Sequence, residues 1–195
     1  MSMELAQSKR SRSWMTAALF VLVAAGATAA AAPPAARALA ASAPAPLPAP
    51  PARQILAVLP VNLNLARANA VVPGDTELGT VATKRLRDAL ASQGAYDLIA
   101  PARVDSAMSA RGMPCTSDVC AIEIAKALGA DAVLAVSLAK IATPVWYADT
   151  RLLDVHTGRL VRADEFELKG VPQQMIPMGM VSIARRVSQV ATAHP

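Results

Sequence analysis

Residues 132–138 read AVLAVSL, with Ser137 as their one polar side chain. A strand this apolar has no face to give to water, so it is expected to be central in a sheet and covered on both sides. Residues 55–61 (ILAVLPV) read as a second buried strand, whose far end cannot continue a ladder because Pro60 lacks an N–H. Residues 96–100 (YDLIA) read as a third, short one. Between the first two strands in chain order, Leu78, Val81, Ala82, Leu86, Ala89 and Leu90 recur at helical spacing. They predict a helix over 76–92, with Asp75 as N-cap and Gly94 as its stop. Pro101 opens a second helix that carries Val104 and Met108 and ends near Gly112. Thr116 or Ser117 caps a third, in which Cys120, Ile124, Ala127 and Leu128 share a face before Gly129. Strand, helix, strand, helices, strand is the pattern of two crossover units with parallel pairing.

The remainder changes character. Residues 144–155 and 159–169 read as two strands joined at Asp154-Val155-His156-Thr157-Gly158. The Asp154 side chain suits the first turn position and Gly158 the left-handed fifth, with Thr157 between them. Pairing Asp154 with Arg159 sets Leu153 against Leu160, Tyr147 against Phe166 and Val145 against Leu168. In that register Asp149, Arg151, Arg162 and Asp164 interrupt one apolar face as a cross-strand charge cluster, a candidate interface. Trp146 then lies on the other face, where burial under a helix is expected. A Met- and Pro-containing segment leads into a last helix, with Ala184, Val187 and Val190 on one side and Arg185 and Arg186 more exposed. The expected architecture is a three-layer α/β domain. Its mixed five-stranded sheet has order 2-1-3-4-5, the last three strands form an antiparallel meander, and there are about four helices.

The first 53 residues are not expected to fold with this domain. Lys9, Arg10 and Arg12 precede an uncharged, mostly apolar run over 14–32, and Ala27, Thr28 and Ala29 offer a small-residue cleavage site. That is the pattern of a secretory signal peptide over 1–32, with an uncleaved membrane anchor as the alternative. No Cys follows the run, which argues against a lipid anchor there. Residues 33–53 are built almost wholly of Pro and Ala and read as a disordered tether, with a reach of roughly 60 Å if extended. The α/β domain is then residues 54–193. The chain's net charge of +5 owes much to the leader, since from Arg53 onward 15 Lys and Arg face 13 Asp and Glu. No basic stripe interleaved with aromatics appears, so nucleic acid is not an expected partner.

Cys115-Thr-Ser-Asp-Val-Cys120, the helix ending in Leu-Gly-Ala-Asp, and the hairpin LLDVHTGRLVRADEFELKG together resemble a family of uncharacterised exported proteobacterial proteins. More distantly, the arrangement is similar to the amino-terminal domain of the Tol-Pal system's periplasmic protein TolB. It is also similar to periplasmic activators of penicillin-binding proteins and to curli-secretion lipoproteins. The resemblance implies a non-catalytic, periplasmic envelope protein that acts through contacts with other envelope proteins. Membrane contact is implied only if the leader stays uncleaved. No catalytic residues and no cofactor carry over.

In an oxidising compartment Cys115 and Cys120 most simply form a disulfide. A thiol-redox role is the alternative, because a Cys120 at a helix N-terminus would have a lowered thiol pKa. Met175, Met178 and Met180 offer thioethers of the kind that suit Cu(I), against a plainer reading as gap-filling core. His156 and His194 have no partner set by sequence spacing. No nucleophile elbow, phosphate loop, dinucleotide fingerprint or zinc spacing occurs. The chain is therefore read as not an enzyme, with no metal and no cofactor; an enzyme with dispersed catalytic residues is the second alternative.

Overall fold

A computed structural model describes residues 53–66 and 68–193. The expected leader, nearly all of the tether and His194 lie outside the described residues. The elements in chain order are β1 (Ile55–Val58), β2 (Asn62–Asn64), α1 (Leu78–Gln93), β3 (Asp97–Leu98) and α2 (Pro101–Arg111). They continue with α3 (Asp118–Leu128), β4 (Ala132–Ala142), β5 (Val145–Asp154), β6 (Leu160–Lys169) and α4 (Pro172–Ala193). The sheet runs β3-β1-β4-β5-β6, with β2 beside β4. β1 is parallel to β3 and β4, and β4-β5-β6 is an antiparallel meander. This is the order read from the sequence with one strand added.

The added strand arises from Pro60. The Leu59 N–H still donates to Leu134 O at 3.0 Å. Pro60 has nothing to donate, and the Val61 N–H turns instead to Thr83 Oγ1 at 2.8 Å. Thr83 passes its own hydroxyl proton to Gly79 O at 2.7 Å, so the buried break is fully paired. β2 then resumes parallel pairing with Ser137, Leu138 and Ala139.

Helices cover both faces of the sheet. Leu56, Val58, Leu134, Val136, Leu138, Trp146 and Leu152 pack with apolar residues of α1 and α4 in one buried cluster. Ala57, Leu59, Val133, Leu153 and Val155 pack with Val104 of α2 and with Cys120, Ala121, Ile124 and Ala125 of α3 in the other. The two covers differ in reach. On the α4 side, alternate residues of β4 are buried through to Lys140, whereas on the α3 side Ala135, Ser137 and Ala139 are only half-buried and Ile141 is exposed.

The structure departs from the sequence expectation at Asp75 and at the Met segment. Asp75 is not the cap of α1, which starts at Leu78 with no side-chain cap. Its carboxylate is wholly buried and faces the equally buried Lys140, with Oδ2 2.5 Å from Nζ. The same oxygen accepts the Val72 N–H at 2.8 Å. A buried ammonium needs a counter-charge far more than a helix end needs a cap. The Met segment is not a lead-in either, because α4 begins at Pro172 and runs through Pro177. Met175 and Met180 enter the core while Met178 is 68% exposed, so the three thioethers do not converge. Among the described residues no helix is long and apolar enough to cross a membrane.

Candidate interaction surface

The hairpin turn forms as its residues require. Asp154 Oδ1 accepts the Thr157 N–H at 2.7 Å and the Thr157 hydroxyl at 2.9 Å. Gly158 adopts φ 70°, and its N–H reaches Asp154 O at 3.0 Å. The Thr157 N–H holds the Asp154 carboxyl below the usual carboxylate range. His156, for which spacing offered no partner, sits with Nε2 3.1 Å from Asp131 Oδ1. Asp131 also accepts the Ile55 N–H at 2.8 Å, joining the turn to the start of β1.

Beyond the turn the register departs from the expected one. Leu153 faces Leu160 as anticipated, but Leu152 faces Arg162, so Val161 is an extra residue in β6. One inserted residue moves everything after it to the opposite face. Phe166 therefore pairs with Ala148 rather than Tyr147, and Leu168 with Trp146 rather than Val145. The four charges do not form one cluster. Asp149 and Arg151 lie on the α3 side, and Arg162 and Asp164 on the α4 side.

On the α4 side the pair is engaged within the fold. Arg162 donates from Nε and Nη2 to both carboxylate oxygens of Asp164, and Arg186 of α4 comes within 3.6 Å of the same carboxylate. The Arg162 guanidinium draws the Asp164 carboxyl below its ordinary pKa, and Asp164 raises that of Arg162. Arg186 also lies over the Phe166 ring, 4.9 Å from its centre. Trp146, fully buried on this side, has Lys140 Nζ 5.7 Å from its ring centre.

The α3 side is different. Arg151 donates to Asp118 Oδ2 at 2.6 Å, in the first turn of α3. Ser117 caps that helix by accepting the Cys120 N–H at 3.3 Å, and Cys115 and Cys120 are joined as a disulfide. Past Arg151 no helix among the described residues covers the sheet. A shallow cavity of about 350 Å³ is lined there by Asn64, Ser137, Ala139, Ile141, Tyr147, Asp149 and Glu165. A smaller one of about 120 Å³ adjoins it at Ser137 and Asp149 and reaches Cys115 and Ser117. Asp149 stands directly opposite Glu165, and the Tyr147 hydroxyl lies 3.3 Å from Glu167 Oε1. Glu165, Glu167 and Ile141 escaped the sequence reading because their exposure depends on the bulge and on where α3 begins. An extra β-branched residue leaves no mark in the alternation of so charged a strand.

The disulfide closes a short loop whose removal loses roughly 2 kcal/mol by chain entropy. The double variant Cys115→Ser, Cys120→Ser is expected to lower urea-unfolding stability by about that amount while leaving the sheet intact. Unchanged stability would show that capping by Ser117 and packing of Cys120 fix the start of α3 without the bond.

The C-terminal domain of LpoB from Salmonella enterica is 24% identical over 61% of this chain and 84% of its own, with a TM-score of 0.48. The hypothetical protein CT253 from Chlamydia trachomatis is 14% identical over 73% of this chain and 100% of its own, with a TM-score of 0.53. TolB from Acinetobacter baumannii is 15% identical over 75% of this chain and 30% of its own, with a TM-score of 0.46. The CT253 likeness supports the fold alone. No curated protein matches the chain. Residues 54–187 match the family described as "Protein of unknown function (DUF2380)", and the chain belongs to that family.

Proposed function

We propose that this chain is an exported, non-catalytic accessory protein of the cell envelope that acts in the periplasm through contacts with other envelope proteins. In this reading residues 1–32 are the export signal and 33–53 a tether for the domain. The observation that carries it is the uncovered α3-side face of β4-β5-β6, which presents Tyr147, Asp149, Glu165 and Glu167 to solvent in a sheet otherwise walled by helices. The disulfide supports the compartment, since such bonds persist where the surroundings are oxidising. Of the four charges singled out in the sequence, Asp149 and Arg151 belong to this face. Arg162 and Asp164 serve to seat α4.

Crosslinking in the native envelope followed by affinity capture tests the proposal. Asp149→Lys is expected to keep stability within about 0.5 kcal/mol, as exposed substitutions usually do, and to reduce captured partner several-fold, with an altered salt dependence. Arg162→Asp is expected to destabilise the domain instead, by setting a second carboxylate beside Asp164. Equal capture by folded Asp149→Lys and parent protein would remove this face as the interface. A folded chain retained in the cytoplasm would remove the envelope assignment.

A further inference from the structure

The two edges of the sheet are unequal. β3, at one end, is two residues long, whereas β6, at the other, is ten. No strand or loop pairs with the outer side of β6 among the described residues. The Gly170 N–H donates to Pro144 O at 2.9 Å, which makes residues 144 and 170 a hydrogen-bonded pair. Antiparallel ladders alternate, so Leu168, Phe166, Asp164 and Arg162 also turn their backbone groups toward β5. The N–H and C=O groups of Ala163, Glu165 and Glu167 therefore point outward, and all three residues are exposed.

Their side chains lie on the uncovered face. Asp149 and Glu165 are directly opposed like charges, and no ion pair joins either to a basic group among the described residues. Such a pair costs free energy in the unbound domain. On the α4 side, Phe166 and Leu168 are only partly buried, and Met178 is 68% exposed. An edge is commonly guarded by charges. On this face Lys169, at the strand's end, pairs with Glu167 at 3.0 Å, so the unpaired charge is the acidic pair Asp149 and Glu165, which repels acidic strands and attracts basic ones. Directly opposed residues of neighbouring strands share a face. A strand laid along β6 would thus set alternate residues against Glu165 and Glu167, and the intervening ones against Phe166 and Leu168.

We propose that β6 accepts an extended partner segment as an additional strand, and that this segment alternates basic and apolar residues. Backbone groups of Ala163, Glu165 and Glu167 would supply the ladder, and Glu165 with Asp149 the selection for positive charge, while Glu167 stays paired with Lys169. This rests on the reading that the domain works through protein contacts and specifies the partner's chemistry.

The test uses the isotopically labelled full-length protein with its disulfide intact and the synthetic peptide Lys-Val-Lys-Val-Lys-Val-Lys. Binding is expected to slow amide exchange at residues 163, 165 and 167 at least tenfold and to weaken as salt rises. The same peptide N-methylated at its ladder-forming residues should lose binding at least tenfold. Ala163→Pro, which removes an outward N–H and no ladder bond, should fold and also lose binding. Absence of binding, or equal affinity for the N-methylated peptide, overturns strand addition. Binding that perturbs Ser137 and Tyr147 but leaves the β6 amides unprotected also overturns it, while leaving the broader contact reading in place. Envelope crosslinks that run from Tyr147 and not from β6 would separate the two in the same way.

Discussion

Lys140→Met is expected to destabilise the domain by about 3–5 kcal/mol, the usual cost of leaving one member of a buried ion pair alone. Lys140 and Asp75 are both 0% exposed, and Asp75 Oδ1 has no hydrogen-bond partner. With the ammonium gone, the carboxylate keeps only the Val72 N–H and must take up a proton or leave the core. Asp75→Asn combined with Lys140→Met is expected to recover at least half of the loss, because the uncompensated charge goes with the second substitution. Urea unfolding followed by Trp146 fluorescence reads both variants, since this ring is buried beside Lys140. A single variant costing under about 1 kcal/mol would mean that the loop relaxes to hydrate Asp75. The pair matters for the surface as well as for the core. It closes the segment between β2 and α1 over the end of β4, where the Asn69 N–H meets Ile141 O at 3.4 Å. Ile141 lines the open face, so the single variant should blur that face's far end even where the sheet survives.

What the sequence made legible, and what it hid, follows from how local each cause is. The strand order was readable because the apolar runs 55–61 and 132–138 must be covered, and short crossovers leave few ways to cover them. The turn was readable because Asp154, Thr157 and Gly158 act within five residues of one another. Ser117 and the disulfide were readable for the same reason. β2 was not, because Asn-Leu-Asn shows no strand character and pairs only where β4 outlasts β1. The Asp75–Lys140 pair joins residues 65 apart, and no spacing rule connects them. The charge cluster failed on one residue. Val161 reads like any strand residue, yet as a bulge it sends Arg162 and Asp164 under α4 and brings Glu165 and Glu167 out beside Asp149. The candidate surface was thus half visible: Asp149 and Arg151 were named, while their acidic neighbours required the register.

Stability is expected to be flat from about pH 5.5 to 7.5 and to fall steeply below about pH 4, near the ordinary carboxylate value. Four carboxyls set this window. Burial pushes Asp75 up, but the hydrogen bond from Lys140, the Val72 N–H and the Lys140 charge together hold it below its ordinary pKa. The Ile55 N–H, helped by His156, lowers Asp131. Thr157 lowers Asp154, and Arg162 lowers Asp164. A depressed folded pKa means that near pH 4 the unfolded chain binds protons that the folded one refuses. Unfolding then takes up protons, so acid favours it, and the contribution is complete above the unfolded pKa. Urea midpoints measured from pH 7 down to pH 3 check the direction. The Asp75→Asn, Lys140→Met variant should show a shallower fall, by up to one proton taken up on unfolding. An undiminished slope there would assign the proton uptake to Asp131, Asp154 and Asp164. The acid-sensitive parts of the fold would then be the hairpin turn, its anchor on β1 and the seat of α4, rather than the buried pair.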